Sequence, residues 1–153
     1  MTLLEAQNIA QQHALMIRHP TLEFVVDVKY SREFHSCFYF DLIVKNIANH
    51  NNSIPIGGAA GIIVSKKNMQ AREISFGNLS LLEENEATLE ILYELLTGSN
   101  PVNDQLSLFK NKYKMESQQF LHLHREVQKN EKEIVLNMIQ DLLDKQKGRL
   151  HVI

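Results

Sequence analysis

The residues best able to do chemistry here are a run of glycines, seven histidines, one cysteine and several carboxylate pairs. Gly57-Gly58-Ala59-Ala60-Gly61 has the composition of a phosphate-cradling loop. That chemistry needs a Lys-Ser/Thr pair directly after the glycines and a helix behind them. Here the glycines run into Ile62-Ile63-Val64, a strand pattern, and Lys66 lies beyond it. They read instead as a bend or bulge at the start of a strand. His122 and His124 stand two apart on a predicted helix, so they point to different faces and cannot chelate one ion. His13 interrupts an apolar helical face and reads as a half-buried imidazole. His35 and Cys37 share a face of a predicted strand, but a Cys-His dyad needs a third group to orient it. Asp27 and Asp41 fall on the outer faces of neighbouring strands. A hydrolytic pair would need a cleft that raises one pKa, and solvated strand faces explain these two better. The expectation is no catalytic residue, no cofactor and no metal.

Charge is distributed more tellingly than it totals. Residues 1–75 are net +1 and residues 109–153 are net +3. Between them, residues 76–108 hold Glu83, Glu84, Glu86, Glu90, Glu94 and Asp104 with no Lys or Arg. One explanation is a solvated helix whose early carboxylates are favoured by the helix dipole. The other is a surface for a basic partner, formed by Glu83, Glu84, Glu86, Glu90 and Glu94, that speeds association by long-range attraction.

The elements that would position these groups follow from periodicity. Residues 2–19 predict a helix that opens on a Thr2–Glu5 capping box and stops before Pro20. Leu3, Ala6, Ile9, Ala10, Ala14 and Ile17 make its apolar face. Two strands follow, one burying Leu22, Phe24, Val26, Val28 and Tyr30, the other Phe34, Phe38, Phe40, Leu42 and Val44. Ser31-Arg32-Glu33 would connect them, and the polar residues 46–53 read as a loop. Ile62-Ile63-Val64 and residues 70–76, around a Lys66-Lys67-Asn68 turn, complete a four-stranded meander.

Residues 80–97 predict a helix capped by Ser80 and Glu83, with Leu82, Leu89, Leu92, Tyr93 and Leu96 inward and Gly98 and Pro101 as the stop. From residue 103 to 147, Leu106, Phe109, Tyr113, Phe120, Leu123, Val127 and Ile134 form a heptad-like stripe. Glu116, Asn130 and Asn137 interrupt it. One long rod and a hairpin breaking near Lys114-Met115 or Lys129-Asn130 both fit. The stripe would pack on its own domain, form a homodimer seam through the C-terminal helices, or grip a partner helix. The expected fold is α+β: an N-terminal helix packed on a four-stranded antiparallel β-meander, then a helix and a C-terminal helical extension. Residues 1–98 would form the α+β domain and residues 99–153 an extension packed on it.

Size and composition narrow the class. The chain has 153 residues, 44% of them hydrophobic, which supports a core without disulfide or metal staples. A net charge of −2 weighs against a dedicated nucleic-acid binder. Cys37, alone, cannot form an internal disulfide and fits a reducing compartment. No run reaches the ~18 apolar residues of a membrane span. Glu5, Gln7, Asn8, Gln11 and Gln12 interrupt the place where a signal peptide would be apolar. A cytoplasmic protein with no membrane or nucleic-acid partner is expected.

The segment from Gly58 through Gly61-Ile62-Ile63-Val64-Ser65-Lys66-Lys67-Asn68 to Met69 resembles the core of the immunity protein 35 family. That family's pattern is a Gly, two small or polar residues, a Pro, an apolar trio, then Asp-Lys and a turn ending in Gly. A strand, a Gly and a Leu-Glu-Glu helix start follow, matched here by Ile74, Phe76, Gly77 and Leu82-Glu83-Glu84. The aromatic strand Phe38-Tyr39-Phe40 also has its counterpart. Gly61 replaces the Pro, Ser65 the Asp and Met69 the turn Gly, and residues 99–153 have no counterpart. The resemblance, over residues 2–97, implies a bacterial immunity protein that neutralises a cognate toxin by binding it. A secretion chaperone or adaptor is the second hypothesis. The third is a small enzyme or ligand-binding cone using Asp27, His35 or Asp41.

Overall fold

The computed structural model describes residues 1–46, 53–55, 61–97 and 103–147. Helix α1 (Leu3–Met16) starts where the capping box places it. The Glu5 amide donates to Thr2 Oγ1 at 3.3 Å, and the Thr2 amide donates to Glu5 Oε2 at 2.7 Å. Ala6, Ala10 and Ala14 are fully buried, a ridge one methyl high that lets the helix lie close on the sheet. Leu3, expected on that face, is 45% exposed. The helix ends at Ile17, three residues before Pro20.

The sheet is antiparallel, with strand order β1-β2-β4-β5. Its members are β1 (Leu22–Glu33), β2 (Cys37–Asn46), β4 (Gly61–Ser65) and β5 (Ala71–Ile74). A short β3 (Ser53–Pro55) pairs with Ile43–Lys45 of β2 and adds a fifth strand where the sequence predicts the end of a loop. The rest of that loop, and Gly57 to Ala60, lie outside the described residues.

Alternation along β2 and β4 sorts their side chains onto two faces. Phe38, Phe40, Leu42, Ile62 and Val64 join Val26 and the alanine ridge of α1. Cys37, Tyr39 and Ile63 face the other way, with Phe34, Ile74, Leu79 and Leu82. The last two belong to the opening turns of α2 (Phe76–Thr97). Helices therefore cover both faces.

These expectations about this part are corrected. Phe34, expected on the face of Phe38 and Phe40, lies on the opposite one. Val28 and Tyr30 are exposed, because the register passes from Asp27↔Asp41 to Arg32↔Tyr39 through a bulge. Asp27 Oδ1 accepts from the Lys29 amide at 2.9 Å and turns the chain there. The strand then resumes, so Phe34-His35-Ser36 makes the connection rather than Ser31-Arg32-Glu33. The second helix begins at Phe76, which is exposed, not at Ser80. Ser75 caps it, its Oγ accepting from the Asn78 amide at 3.3 Å and its carbonyl from Leu79 at 2.9 Å.

Chain contacts divide the protein into two compact units, Met1–Leu82 and a second beginning at Glu83. The second holds the rest of α2, α3 (Asn103–Lys112), α4 (Ser117–Lys129) and α5 (Lys132–Lys147). The chain breaks at both places where a hairpin was weighed. Lys114 and Asn130 take left-handed backbone conformations, φ 49° and 59°, that end α3 and α4. Glu116 sits at the start of α4, its amide donating to Gln119 Oε1 at 3.4 Å. Two of the polar interruptions in the stripe are thus helix boundaries. Beyond Asn130 the apolar face moves by one residue: Ile134 is 42% exposed, while Val135 and Ile139 are fully buried. They pack with Leu89, Leu92, Leu96, Phe109, Tyr113 and Leu123.

Gly61 carries a specific constraint. Its φ is +151°, and a Cβ there would lie 2.9 Å from Tyr39 Cε2 and deep inside contact with the Phe40 carbonyl. Gly61→Ala is expected to cost about 3 kcal/mol of unfolding free energy. A denaturant titration with less than about 1 kcal/mol lost would contradict this close approach.

Glu5 gives the acid-limb expectation. Hydrogen bonds from the Thr2 amide and then the Thr2 hydroxyl lower its pKa, outweighing a small opposing effect of burial. A lowered folded-state pKa means stability present above the ordinary carboxylate range and lost as pH falls through the folded value. The Glu5 carboxyl carbon, followed by NMR, should titrate below an ordinary glutamate; an ordinary or raised midpoint would contradict the capping box.

Candidate partner-binding site

Helix α2 positions every carboxylate proposed for partner contact. In the second unit its inward side chains are Leu89, Leu92 and Leu96, at helical spacings of three and four. That fixes the rotation of the rest. Glu83, Glu84 and Glu94 are exposed, and Glu86 and Glu90 are half-buried. Glu90 is engaged inside its own unit, its Oε2 accepting from Lys132 Nζ at 3.2 Å. The same ammonium stands 5.1 Å from the Tyr93 ring centroid. Asn85 donates to Gln140 Oε1 at 2.8 Å and Tyr93 to Asn130 Oδ1 at 3.4 Å. These contacts tie the inner flank of α2 to α4 and α5. The side chain of Asp104 lies outside the described residues.

The outer flank presents Ile91 at 58% exposure and Leu95 at 52%, one turn apart, with exposed Glu94 adjoining Leu95 in the chain. Sequence reasoning passed over this ridge. Its signal was present in the spacing: both residues fall off the Leu89–Leu92–Leu96 face.

The helix dipole does not explain the carboxylates. With α2 starting at Phe76, its first turn holds no acidic residue and its last turn no basic one. Glu94 stands near the C-terminal end, where a negative charge is unfavourable. Glu86, Glu90 and Glu94 follow one another at intervals of four, and like charges so placed cost about 0.2–0.5 kcal/mol per pair. Glu90 is compensated by Lys132, at 3.2 Å.

The other candidates are placed as follows. Asp27 and Asp41 are directly opposite in register, both half-buried, and Asp41 Oδ1 accepts from the Tyr39 hydroxyl. His35 lies in the β1–β2 connection while Cys37, buried, begins β2, so the two do not share a strand. The bulge displaces the connection by three residues, so the shared strand face expected for His35 and Cys37 does not form. His13 is half-buried, with Nε2 3.9 Å from Glu73 Oε1. His122 is exposed and its Nδ1 stands 3.6 Å from Glu126 Oε1; His124 faces Phe120 at 6.4 Å between ring centroids. Glu126, which the sequence reading did not single out, is buried and also paired with Lys129 at 3.0 Å. Its signal was the His122 and Lys129 flanking it at helical spacing. Among the described residues no three His, Cys, Asp or Glu side chains come together to hold a metal ion. No helix among them is long and apolar enough to cross a membrane.

Comparison with protein-family models, with curated proteins and with solved structures finds no match.

If the acidic stretch of α2 is a cost to the fold, removing one of its charges should repay part of it. Glu94→Gln is expected to raise unfolding free energy by about 0.5 kcal/mol in a urea titration at low salt. A loss of stability would show that Glu94 supports its own unit instead.

Proposed function

We propose that this chain is a binding protein that neutralises a cognate bacterial toxin or effector in the cytoplasm by protein–protein contact. The observation that carries the reading is the outer flank of α2. Glu83, Glu84 and Glu94 are exposed on the same helix as the exposed Ile91 and Leu95. An exposed apolar ridge rimmed by charge of one sign suits a partner with apolar anchors in a basic surround. In such a contact a few buried side chains set affinity and the rim charges set the association rate.

The resemblance to the immunity protein 35 family adds support. In that family's pattern the β4–β5 turn ends on Gly. Here Met69 holds that place with φ 57°, a conformation that glycine takes without strain.

The test is capture and protection together. The tagged chain, expressed in its source cells and washed in high salt, should retain one large protein through that protein's C-terminal domain. Expression of that domain alone should kill cells, and co-expression of this chain should restore growth. Retention of several non-toxic effectors would support a secretion chaperone instead. A captured domain that is toxic with and without this chain would contradict neutralisation.

A further inference from the structure

We propose that the outer edge of β1 is a docking site for an extended peptide strand ending in a carboxylate. This inference is independent of the acidic flank of α2 and concerns the first unit alone. β1 stands at one end of the strand order. Val26 is in register with Leu42 of β2, yet its amide donates to Gln11 Oε1 of α1 at 3.1 Å. That amide therefore points away from β2, along the sheet's outer edge. Backbone groups of an antiparallel strand alternate between its two edges, so the amides and carbonyls of Leu22 and Phe24 point outward as well. The Gln11 side chain fills one position that a neighbouring strand would occupy.

The next positions along this edge open onto a groove of about 470 Å³. Leu15 and Ile17, from the end of α1, line it together with Leu22 and Phe24, and so do Arg18 and His19, which precede the strand. An added strand would bond the backbone of β1 and lay alternate apolar side chains in this groove. The charges set its direction. His19 Nδ1 accepts from the Thr21 amide at 3.3 Å, which leaves Nε2 as the donor in the neutral ring as well as the charged one. Glu23 also lines the groove, but it alternates with Leu22 and Phe24 along the strand and has Lys45 opposite in register. Arg18 and His19 thus stand beside the Leu22 end of the edge. A peptide running antiparallel to β1 brings its C-terminal carboxylate to that end, where Arg18 can take it in a charge-assisted pair.

The experiment uses the whole chain, labelled with nitrogen-15. The probe is a pool of acetylated pentapeptides with β-branched residues alternating with Thr, ending in Leu with a free carboxylate. A second pool is identical but C-terminally amidated. The carboxylate pool should shift the amide resonances of Leu22 and Phe24 and slow their hydrogen exchange. It should bind about fivefold more tightly than the amidated pool, and Arg18→Glu should abolish that difference. Leu15→Lys, at a side chain 60% exposed and so safe for the fold, should weaken both pools. Unchanged Leu22 and Phe24 amides at millimolar peptide would overturn the proposal. So would equal binding of the two pools, or concentration-dependent pairing of β1 with a second copy that excludes both.

Discussion

The first unit depends on how closely β4 comes to β2 at Gly61. The absent side chain lets the backbone of Gly61 lie against the Phe40 carbonyl and the Tyr39 ring. That contact starts the pairing Phe40↔Ile62, Tyr39↔Ile63, Phe38↔Val64 and Cys37↔Ser65. Because strand side chains alternate, this register alone decides that Ile62 and Val64 meet α1 while Ile63 meets the opening of α2. A shift of one residue would exchange the faces and strand both helices over the wrong side chains. The buried run Gly61–Ser65, apolar on both sides, is what a strand covered from both faces requires.

Much of this was legible in the sequence, and the failures have local causes. The capping box at Thr2, the Ala6–Ala10–Ala14 ridge and the alternation through Phe38, Phe40 and Leu42 each carried their own signal. Strict alternation past Asp27 misled, because an aspartate side chain that captures the Lys29 amide breaks the period without a Gly or Pro to announce it. The start of α2 was misplaced for the opposite reason. Ser80 and Glu83 read as a capping box, but Ser75 caps the helix earlier in the chain and leaves that pair inside it. In the second unit, Asn130 looked like a polar defect in one stripe. It is the left-handed end of a helix, after which the apolar face restarts one residue later.

The acidic residues of α2 were legible as charge, not as a surface. Sequence spacing placed the carboxylates on a helix. It did not reveal that Lys132, forty-two residues along the chain from Glu90, returns to pair with it. The spacing did leave Ile91 and Leu95 off the face of the buried leucines, where the structure exposes them. The resulting surface has a physical logic of its own. Carboxylates repeated at intervals of four oppose helix formation, and exposed aliphatic side chains gain nothing in the isolated chain. Both become favourable on contact with a basic, apolar partner, which is the kind of trade a binding surface makes.

The proposed contact is between this flank of α2 and a toxin domain. Its most direct test is the association rate with the toxin domain by stopped flow across a range of salt. The rate should fall about tenfold from low to high ionic strength. In a chain carrying Glu83→Gln, Glu84→Gln and Glu94→Gln, most of that dependence should disappear while the slow dissociation set by Ile91 and Leu95 persists. An unchanged salt dependence in the triple variant would contradict the account and place the contact elsewhere on the protein.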